Sequence, residues 1–198
     1  VPAATHLHGG DNRYLSDGLP EAWSTPVGQV GPLYQRSYTY DNTQEAGHLW
    51  YHDHALGITR TNVYMGLAGL YFLRDAQENA LRAANVLPSY PFEVPLVLQD
   101  RMFASDGSLF YPAEAKGAPT PTHLPEFFGD VILVNTQAWP RLPVERRPYR
   151  LRLLNGSDSR FYDLRLRTPS GASVPLLVVG NELGLLDRAV RPDLKGEA

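Results

Sequence analysis

The sequence predicts an all-β protein, and the arrangement it favours is an antiparallel β-sandwich. Seventeen prolines and seventeen glycines interrupt the 198 residues, which favours short strands and turns over long helices. Apolar and polar residues also alternate between these interruptions. At 149–153, Leu151 and Leu153 would face a core, while Arg150 and Arg152 would lie on a solvated face.

The other predicted elements follow in chain order. One or two helical turns are predicted after Asp75, ending before Pro88, and an Asp-Gly turn is predicted at 106–107. Apolar or alternating runs predict the strands, which are 66–75, 94–103, 130–135, 149–155, 164–166 and 174–186.

A proline-rich stretch from Pro112 to Pro125 predicts a long connection between two units. The predicted organisation is a first unit at 1–75, a connection at 76–125 and a second unit at 126–198. Both units have the same texture of short strands and turns, so we expect two sandwich-like domains.

The composition excludes several classes of function. The chain has no cysteine, which rules out disulfides, thiolate zinc sites, cysteine nucleophiles and a blue-copper centre within this sequence. A formal net charge of −3 gives no reason to expect nucleic acid or an anionic membrane as a partner. No apolar run approaches the ~20 residues that a membrane span needs.

Four of the six histidines form two pairs with the same spacing. His6 and His8 lie in THLHGG, and His52 and His54 lie in LWYHDH. Residues i and i+2 of a strand share one face, with Cα atoms ~6.6 Å apart. Two such strands could bring four imidazoles to a cluster of metal ions ~3.5–4 Å apart, and neutral imidazole suits copper, zinc and iron. The pairs therefore predict a metal site.

The residues around both pairs resemble the multicopper oxidases, the family of laccases and bilirubin oxidases. The resemblance covers nearly the whole chain in the family's order, through THLHGG, SDGLPEAW, GHLWYHDHALGITRTNVYMGLAGLYFL, DGSLFYP and DVILVNTQAWPRLPVERRPYRLRLLNGSDSRFYDL. Leu7 and the DGLPEAW segment are similar to the branch of spore-coat laccases and bilirubin oxidases. The resemblance implies cupredoxin-like Greek-key β-sandwich domains, both incomplete in this chain.

The resemblance also implies a role for each paired histidine. His6 matches the ligand of the type 2 copper in a trinuclear cluster. His8 and His52 match ligands of one type 3 copper, and His54 matches a ligand of the other. The implied activity is one-electron oxidation of phenols, aryl amines or bilirubin-like pigments, coupled to four-electron reduction of dioxygen to water. Dioxygen and a small aromatic reductant are the implied partners.

Asp17, in the segment SDG, matches a buried acid that helps to move protons to the cluster during dioxygen reduction. The alternative is a turn aspartate that caps backbone N–H groups before Gly18. His48 shares the strand parity of His52, but the family motif has no ligand there, so a structural role is expected. Trp50 is expected to pack around the site.

The sequence departs from the family in what it lacks. Complete members carry two further histidine-rich segments, including a His-Cys-His that joins a blue copper to the cluster, and neither is present. The family's cluster uses eight histidines, of which four are matched here. We expect this chain to be an internal piece that needs remaining polypeptide segments to complete the site, and to be inactive in isolation.

Two other functions stay open from the sequence. One is a non-catalytic or split copper-binding cupredoxin module that another chain completes. The other is a zinc hydrolase or lyase built on His-x-His strands. A metal-dependent barrel would need regularly alternating helices and strands, and a cupin would need an added glutamate and a third histidine.

Overall fold

The structure, a computed structural model, describes residues 1–112, 117 and 124–192. Most of the predicted connection at Pro112–Pro125 therefore lies outside the described residues. The described residues form twelve β-strands, two short α-helices and one 3-10 helix, which confirms the all-β prediction. The longest described helix has eight residues, far fewer than the ~20 that cross a bilayer.

The strands form two main sheets and two hairpins. The first sheet contains β1 (Thr5–His8), β2 (His48–Asp53) and β3 (Ala68–Phe72), antiparallel in that order. The second contains β4 (Glu93–Phe103), β5 (Leu109–Phe110), β6 (Val131–Val134), β7 (Gln137–Ala138) and β8 (Arg150–Asn155). The hairpins pair β9 (Leu166–Arg167) with β10 (Ser173–Val174), and β11 (Val178–Asn181) with β12 (Gly184–Val190).

The first sheet separates an apolar face from a histidine face. Leu7 and Leu49 are almost fully buried and pack with Leu73 in the core beneath the sheet. His6 and His8 alternate with Leu7 along β1, so both imidazoles lie on the opposite face. Burial of the leucines thus fixes the face to which the histidines belong, because a slip of one residue would exchange the two sets.

Two α-helices flank the third strand. The helix α1 (Thr59–Tyr64) was not predicted from the sequence. The helix α2 (Ala76–Ala83) confirms the helical turns predicted before Pro88. Asp75 caps α2, because its carboxylate accepts a hydrogen bond from the backbone N–H of Glu78 at 2.7 Å. The helix ends before Asn85, whose φ of 56° is left-handed.

The second sheet is organised around β4. This strand is antiparallel to β6 and parallel to β8, so the sheet is mixed rather than wholly antiparallel. The Asp-Gly turn predicted at 106–107 joins β4 to β5. β4 lies within 76–125, the range predicted as a connection, but it pairs with both β6 and β8 and so belongs to the second sheet. The division into 1–75, 76–125 and 126–198 stays a prediction.

The predicted orientation of β8 is wrong. Arg150 and Arg152, expected on a solvated face, are buried with exposed fractions of 7% and 5%, while Leu153 is exposed. The physical reason is that Glu78 and Glu93 lie opposite the two arginines and compensate their charge. Alternation along β8 was read correctly, but alternation alone does not say which of the two faces is inside.

These side chains form a buried ionic network that joins α2, β4 and β8. Glu78 accepts hydrogen bonds from Arg150 at 3.0 Å and from Arg152 at 2.9 Å, and it also pairs with Arg74. Glu93 accepts from Arg74 at 2.8 Å and from Arg152 at 2.8 Å. Buried charges are tolerated when they are paired and hydrogen-bonded in this way.

The network predicts a specific loss of stability in acid. Burial would raise the pKa of Glu93, but hydrogen bonds from Arg74 and Arg152 outweigh it and lower the pKa from 4.5 to about 2. The stabilisation is therefore complete above about pH 4.5 and is lost as the pH falls toward 2. We expect the gap in unfolding midpoint between wild type and Glu93→Gln to be widest above pH 5 and to narrow toward pH 2. Asp41→Asn, at an exposed ion pair, serves as the control. If the difference in unfolding midpoint between wild type and Glu93→Gln does not change with pH, the ionised carboxylate of Glu93 is not the source of the stabilisation.

Candidate metal centre

The first sheet brings the two histidine pairs together. The strands β1 and β2 pair in a register that sets His6 directly opposite His52. The imidazole of His52 lies 5.4 Å from that of His6 and 5.5 Å from that of His8, between ring centroids. His54 follows the end of β2, and its ring stacks on that of His6 at 4.7 Å. The four predicted ligands thus converge from two extended segments.

Three of these rings could bind one ion without a large movement. The potential ligand nitrogens of His6, His8 and His52 all lie within 4.8 Å of one another. The Nδ1 atom of His8 is 3.3 Å from the Nε2 atom of His52. His52 is buried, His6 is half-buried and His8 is exposed, so the group opens toward solvent on the side of His8.

Backbone carbonyls orient three of the four rings, those of His6, His52 and His54. The Nδ1 atoms of His6, His52 and His54 lie 2.6, 2.7 and 3.0 Å from the carbonyl oxygens of Asp17, Asp53 and Gly18. A carbonyl oxygen can only accept, so each Nδ1 carries a proton, and Nε2 is the nitrogen that the neutral ring has left for a metal. Metal-binding histidines are commonly held in this way.

The donor set is therefore suited to copper or another imidazole-preferring metal. His6, His52 and His54 offer Nε2, whereas His8 directs Nδ1 toward His52. Burial lowers the pKa of His52 below its usual value, which favours the neutral imidazole that a metal requires. The group of three converging ligands contains no carboxylate, which is the ligand that a hard, oxygen-seeking cation would prefer.

The loop at residues 17–18 holds two of the rings through its backbone. Gly18 has φ of +73°, and a Cβ atom at this position would lie 1.8 Å from the carbonyl oxygen of Thr5. The loop can therefore approach β1 this closely only with glycine at position 18. This close approach brings the carbonyls of Asp17 and Gly18 to His6 and His54.

The side chain of Asp17 lies beside the cluster. Its Oδ1 atom is 3.6 Å from Nδ1 of His6, and the side chain is 30% exposed. Among the described residues, no backbone N–H donates to its carboxylate, so the capping alternative has no supporting contact. The geometry leaves the carboxylate close to a candidate ligand and accessible to water.

Aromatic residues pack against one side of the site. The ring of Trp50 lies 4.3 Å from His52 and 5.0 Å from His8, in agreement with the packing predicted for it. His48 lies farther along β2, where it packs edge-on against Phe72 at 5.0 Å. Burial and the nearby Arg152 and Arg150 lower the pKa of His48 to about 4, so this ring is neutral.

Comparison with known proteins identifies the family that the sequence resembles. The family described as multicopper oxidase matches residues 2–78. A laccase from Bacillus stratosphericus and a laccase from Bacillus subtilis (strain 168) are each 44% identical to this chain, across 96% of it. This chain belongs to the multicopper oxidase family. It spans 37% of the length of either Bacillus laccase.

Solved structures of this family share its fold. The crystal structure of the McoA multicopper oxidase from the hyperthermophile Aquifex aeolicus matches with a TM-score of 0.77 at 33% identity. The match covers 96% of this chain and 39% of that one. The likeness confirms the cupredoxin-like, all-β fold class that the sequence resemblance implied for this multicopper oxidase chain.

The sequence did not reveal the backbone groups that orient the rings. The carbonyls of Asp17 and Gly18 carry no sequence signal of their own, although the Asp-Gly dipeptide indicated a turn there. Asn62 was also missed, since it lies on the unpredicted helix α1 and contacts Asp53, between two candidate ligands.

Proposed function

We propose that this chain supplies half of the histidine ligands of a trinuclear copper cluster in a laccase-like multicopper oxidase. His6 would bind the type 2 copper, His8 and His52 one type 3 copper, and His54 the other. The observation that carries the proposal is the convergence of four imidazoles, with ring centroids 4.7–5.9 Å apart in the measured pairs. The complete protein would oxidise phenols, aryl amines or bilirubin-like pigments and reduce dioxygen to water.

Each residue has a distinct task in this scheme. Copper, when bound, supplies the one-electron redox chemistry that dioxygen reduction requires. The strand pair β1–β2 fixes the spacing of the ligands, and the carbonyls at 17, 18 and 53 hold the rings in the Nδ1–H form. Trp50 covers the rings of His8 and His52 on one side and limits the access of water there.

Asp17 would help to transfer protons to the site of dioxygen reduction. Reduction of dioxygen to water consumes four protons, and a carboxylate in contact with solvent can pass them on through water. The carboxylate lies 3.6 Å from Nδ1 of His6, which supports a role beside the proposed cluster rather than as one of its ligands. Its partial exposure allows the proton to be replaced from bulk solvent.

Further polypeptide would complete the site. His8 is exposed on the open side of the cluster. Large apolar side chains are also exposed in the second half of the chain, among them Trp139, Leu183 and Phe161, the last with 95% exposure. We infer that other polypeptide covers these side chains in the complete protein. Segments that cover them and add the missing histidines and the blue-copper cysteine would give a competent oxidase.

Metal binding and turnover test the proposal separately. Purified chain is incubated with copper and zinc together, desalted, and analysed by emission spectrometry. We expect copper to be retained, and the His6→Ala/His52→Ala variant to lose it, while the control His48→Asn on the same strand keeps it. Retention of zinc alone, or equal retention in the double variant, would contradict the assigned site.

The same copper-loaded chain is then offered a phenolic dye under air. We expect oxidation no faster than with free copper, because four of the eight histidines and the blue-copper site are not in this chain. Turnover well above free copper would show that the remaining segments are dispensable. The alternative function, a non-catalytic copper module completed by another chain, is favoured if copper is held tightly and added C-terminal family segments confer no activity.

A further inference from the structure

Asp53 lies between two of the proposed ligands but points away from them. In β2 it is paired with Thr5, and its side chain lies on the face opposite to that of His52. It is 3% exposed. A carboxylate buried to this extent is costly unless hydrogen bonds compensate it. The burial of this carboxylate at the end of a strand therefore requires an explanation.

The carboxylate of Asp53 ties three segments together. Its Oδ1 atom accepts hydrogen bonds from the backbone N–H of Ala4 at 2.8 Å and of Ala55 at 3.2 Å. Its Oδ2 atom accepts from Nδ2 of Asn62 at 2.9 Å. These donors belong to the residue before β1, to the residue after His54, and to α1. The segments that carry both histidine pairs are thus fastened to one side chain.

Asn62 completes the connection from the helix side. It is 0% exposed, and its Nδ2 atom donates to the carbonyl of Pro2 at 2.9 Å as well as to Asp53. Its own backbone carbonyl accepts from Leu67, whose carbonyl in turn accepts the N–H of Asp53 at 3.0 Å. Side chain and backbone of Asn62 therefore both lead back to Asp53.

The backbone of this segment reaches the imidazoles directly. The carbonyl of Asp53 holds Nδ1 of His52 at 2.7 Å. The N–H of His54 donates to the carbonyl of Ala4 at 2.7 Å, next to the Ala4 N–H that Asp53 binds. A shift of the Asp53 side chain would therefore move the carbonyl that orients His52 and the strand contact that places His54.

We propose that Asp53 and Asn62 form a buried clamp that orients His52 and His54 for metal binding, as positioning residues that do not touch the metal. The inference rests on the proposed function, because it assigns these residues to the copper ligands. Hydrogen-bonding partners behind metal ligands typically change metal affinity 10–100-fold when they are removed.

The clamp is tested with two single variants and their combination. Asp53→Asn keeps the shape but sets an amide N–H₂ against that of Asn62, and Asn62→Ala removes the donor. We expect each to weaken Cu²⁺ binding about 10–100-fold, measured by competition with a chelator, and to change the Cu²⁺ hyperfine splitting in electron paramagnetic resonance. The double variant is expected to lose less copper affinity than the sum of the two single losses, because the two residues share the Asp53–Asn62 hydrogen bond.

Tyr64→Phe is the matched control. Tyr64 lies on the same helix, is equally buried, and donates through its hydroxyl to the carbonyl of Phe110 at 2.7 Å, away from the histidines. We expect it to lower the unfolding midpoint of the metal-free chain while leaving copper affinity and the resonance spectrum unchanged. If Tyr64→Phe weakens copper binding as much as Asp53→Asn, the effect is general destabilisation and the clamp is refuted. If Asn62→Ala does not fold, Asp53→Asn decides alone.

A measurement without metal separates this inference from the proposed function. Nitrogen-15 spectra of the imidazoles in the metal-free chain report which ring nitrogen carries the proton. We expect Nδ1–H forms of His52 and His54 in the wild type and a mixture of tautomers in both single variants. Unchanged tautomers in the variants would overturn the clamp, even if copper binds. A wild-type chain that binds no copper would overturn the proposed function, while the tautomer result still decides the clamp.

Discussion

Glu78→Ala is expected to lower the free energy of unfolding by about 3–5 kcal/mol, the cost of breaking a buried ion pair from one side. Glu78 is 0% exposed and is bound by Arg74, Arg150 and Arg152. Its removal would leave these three arginine side chains to share Glu93 with Arg82. Alanine is a better helix former than glutamate, so loss of helix propensity in α2 cannot account for the effect.

Chemical denaturation measures the loss of unfolding free energy in Glu78→Ala, and an ion pair on the surface serves as the matched control. Arg13→Ala breaks an ion pair with Asp41 of similar length, 3.0 Å, in which the arginine side chain is 77% exposed. We expect a loss of less than about 1 kcal/mol for it. If the loss for Glu78→Ala is equally small, water reaches the network and the burial of its charges has no energetic consequence.

The contrast between β1 and β8 shows why the sequence predicted one strand face and not the other. In β1, Leu7 separates two histidines, and only the leucine gains by burial, so the inside face follows from polarity. In β8, leucines alternate with arginines in the same manner. The outcome there depends on Glu78 and Glu93, which are 72 and 57 residues away from Arg150 in sequence. No local pattern contains that information.

The candidate site also has some features that follow from a local sequence pattern and others that depend on residues distant in sequence. The spacing of the histidine pairs predicted a shared strand face, and the structure has His6, His8 and His52 on it. What orients the rings comes from other places, namely the carbonyls of residues 17 and 18 and the side chain of Asn62. Backbone carbonyls have no residue identity, so only the fold reveals which of them reach an imidazole.

Gly18→Ala is expected to weaken copper binding by at least about 10–100-fold, because one methyl group would displace the backbone that orients two ligands. The added Cβ atom would lie 1.8 Å from the carbonyl oxygen of Thr5 and 2.9 Å from the Cα atom of His6. The loop must withdraw, and the carbonyls of Asp17 and Gly18 would then leave His6 and His54. Copper affinity and the imidazole tautomers of the metal-free chain are the measurements.

Gly28→Ala separates this displacement from backbone strain. Gly28 has a similar φ of +84°, so alanine there carries the same left-handed penalty, but a Cβ atom would meet nothing within 4 Å. We expect Gly28→Ala to lower stability modestly and to leave both the tautomers of His6 and His54 and the copper affinity as in the wild type. If both variants weaken copper binding alike, strain and not contact with Thr5 is responsible. If neither does, the rings hold their places without the carbonyls at 17 and 18, and the β1–β2 register alone builds the site.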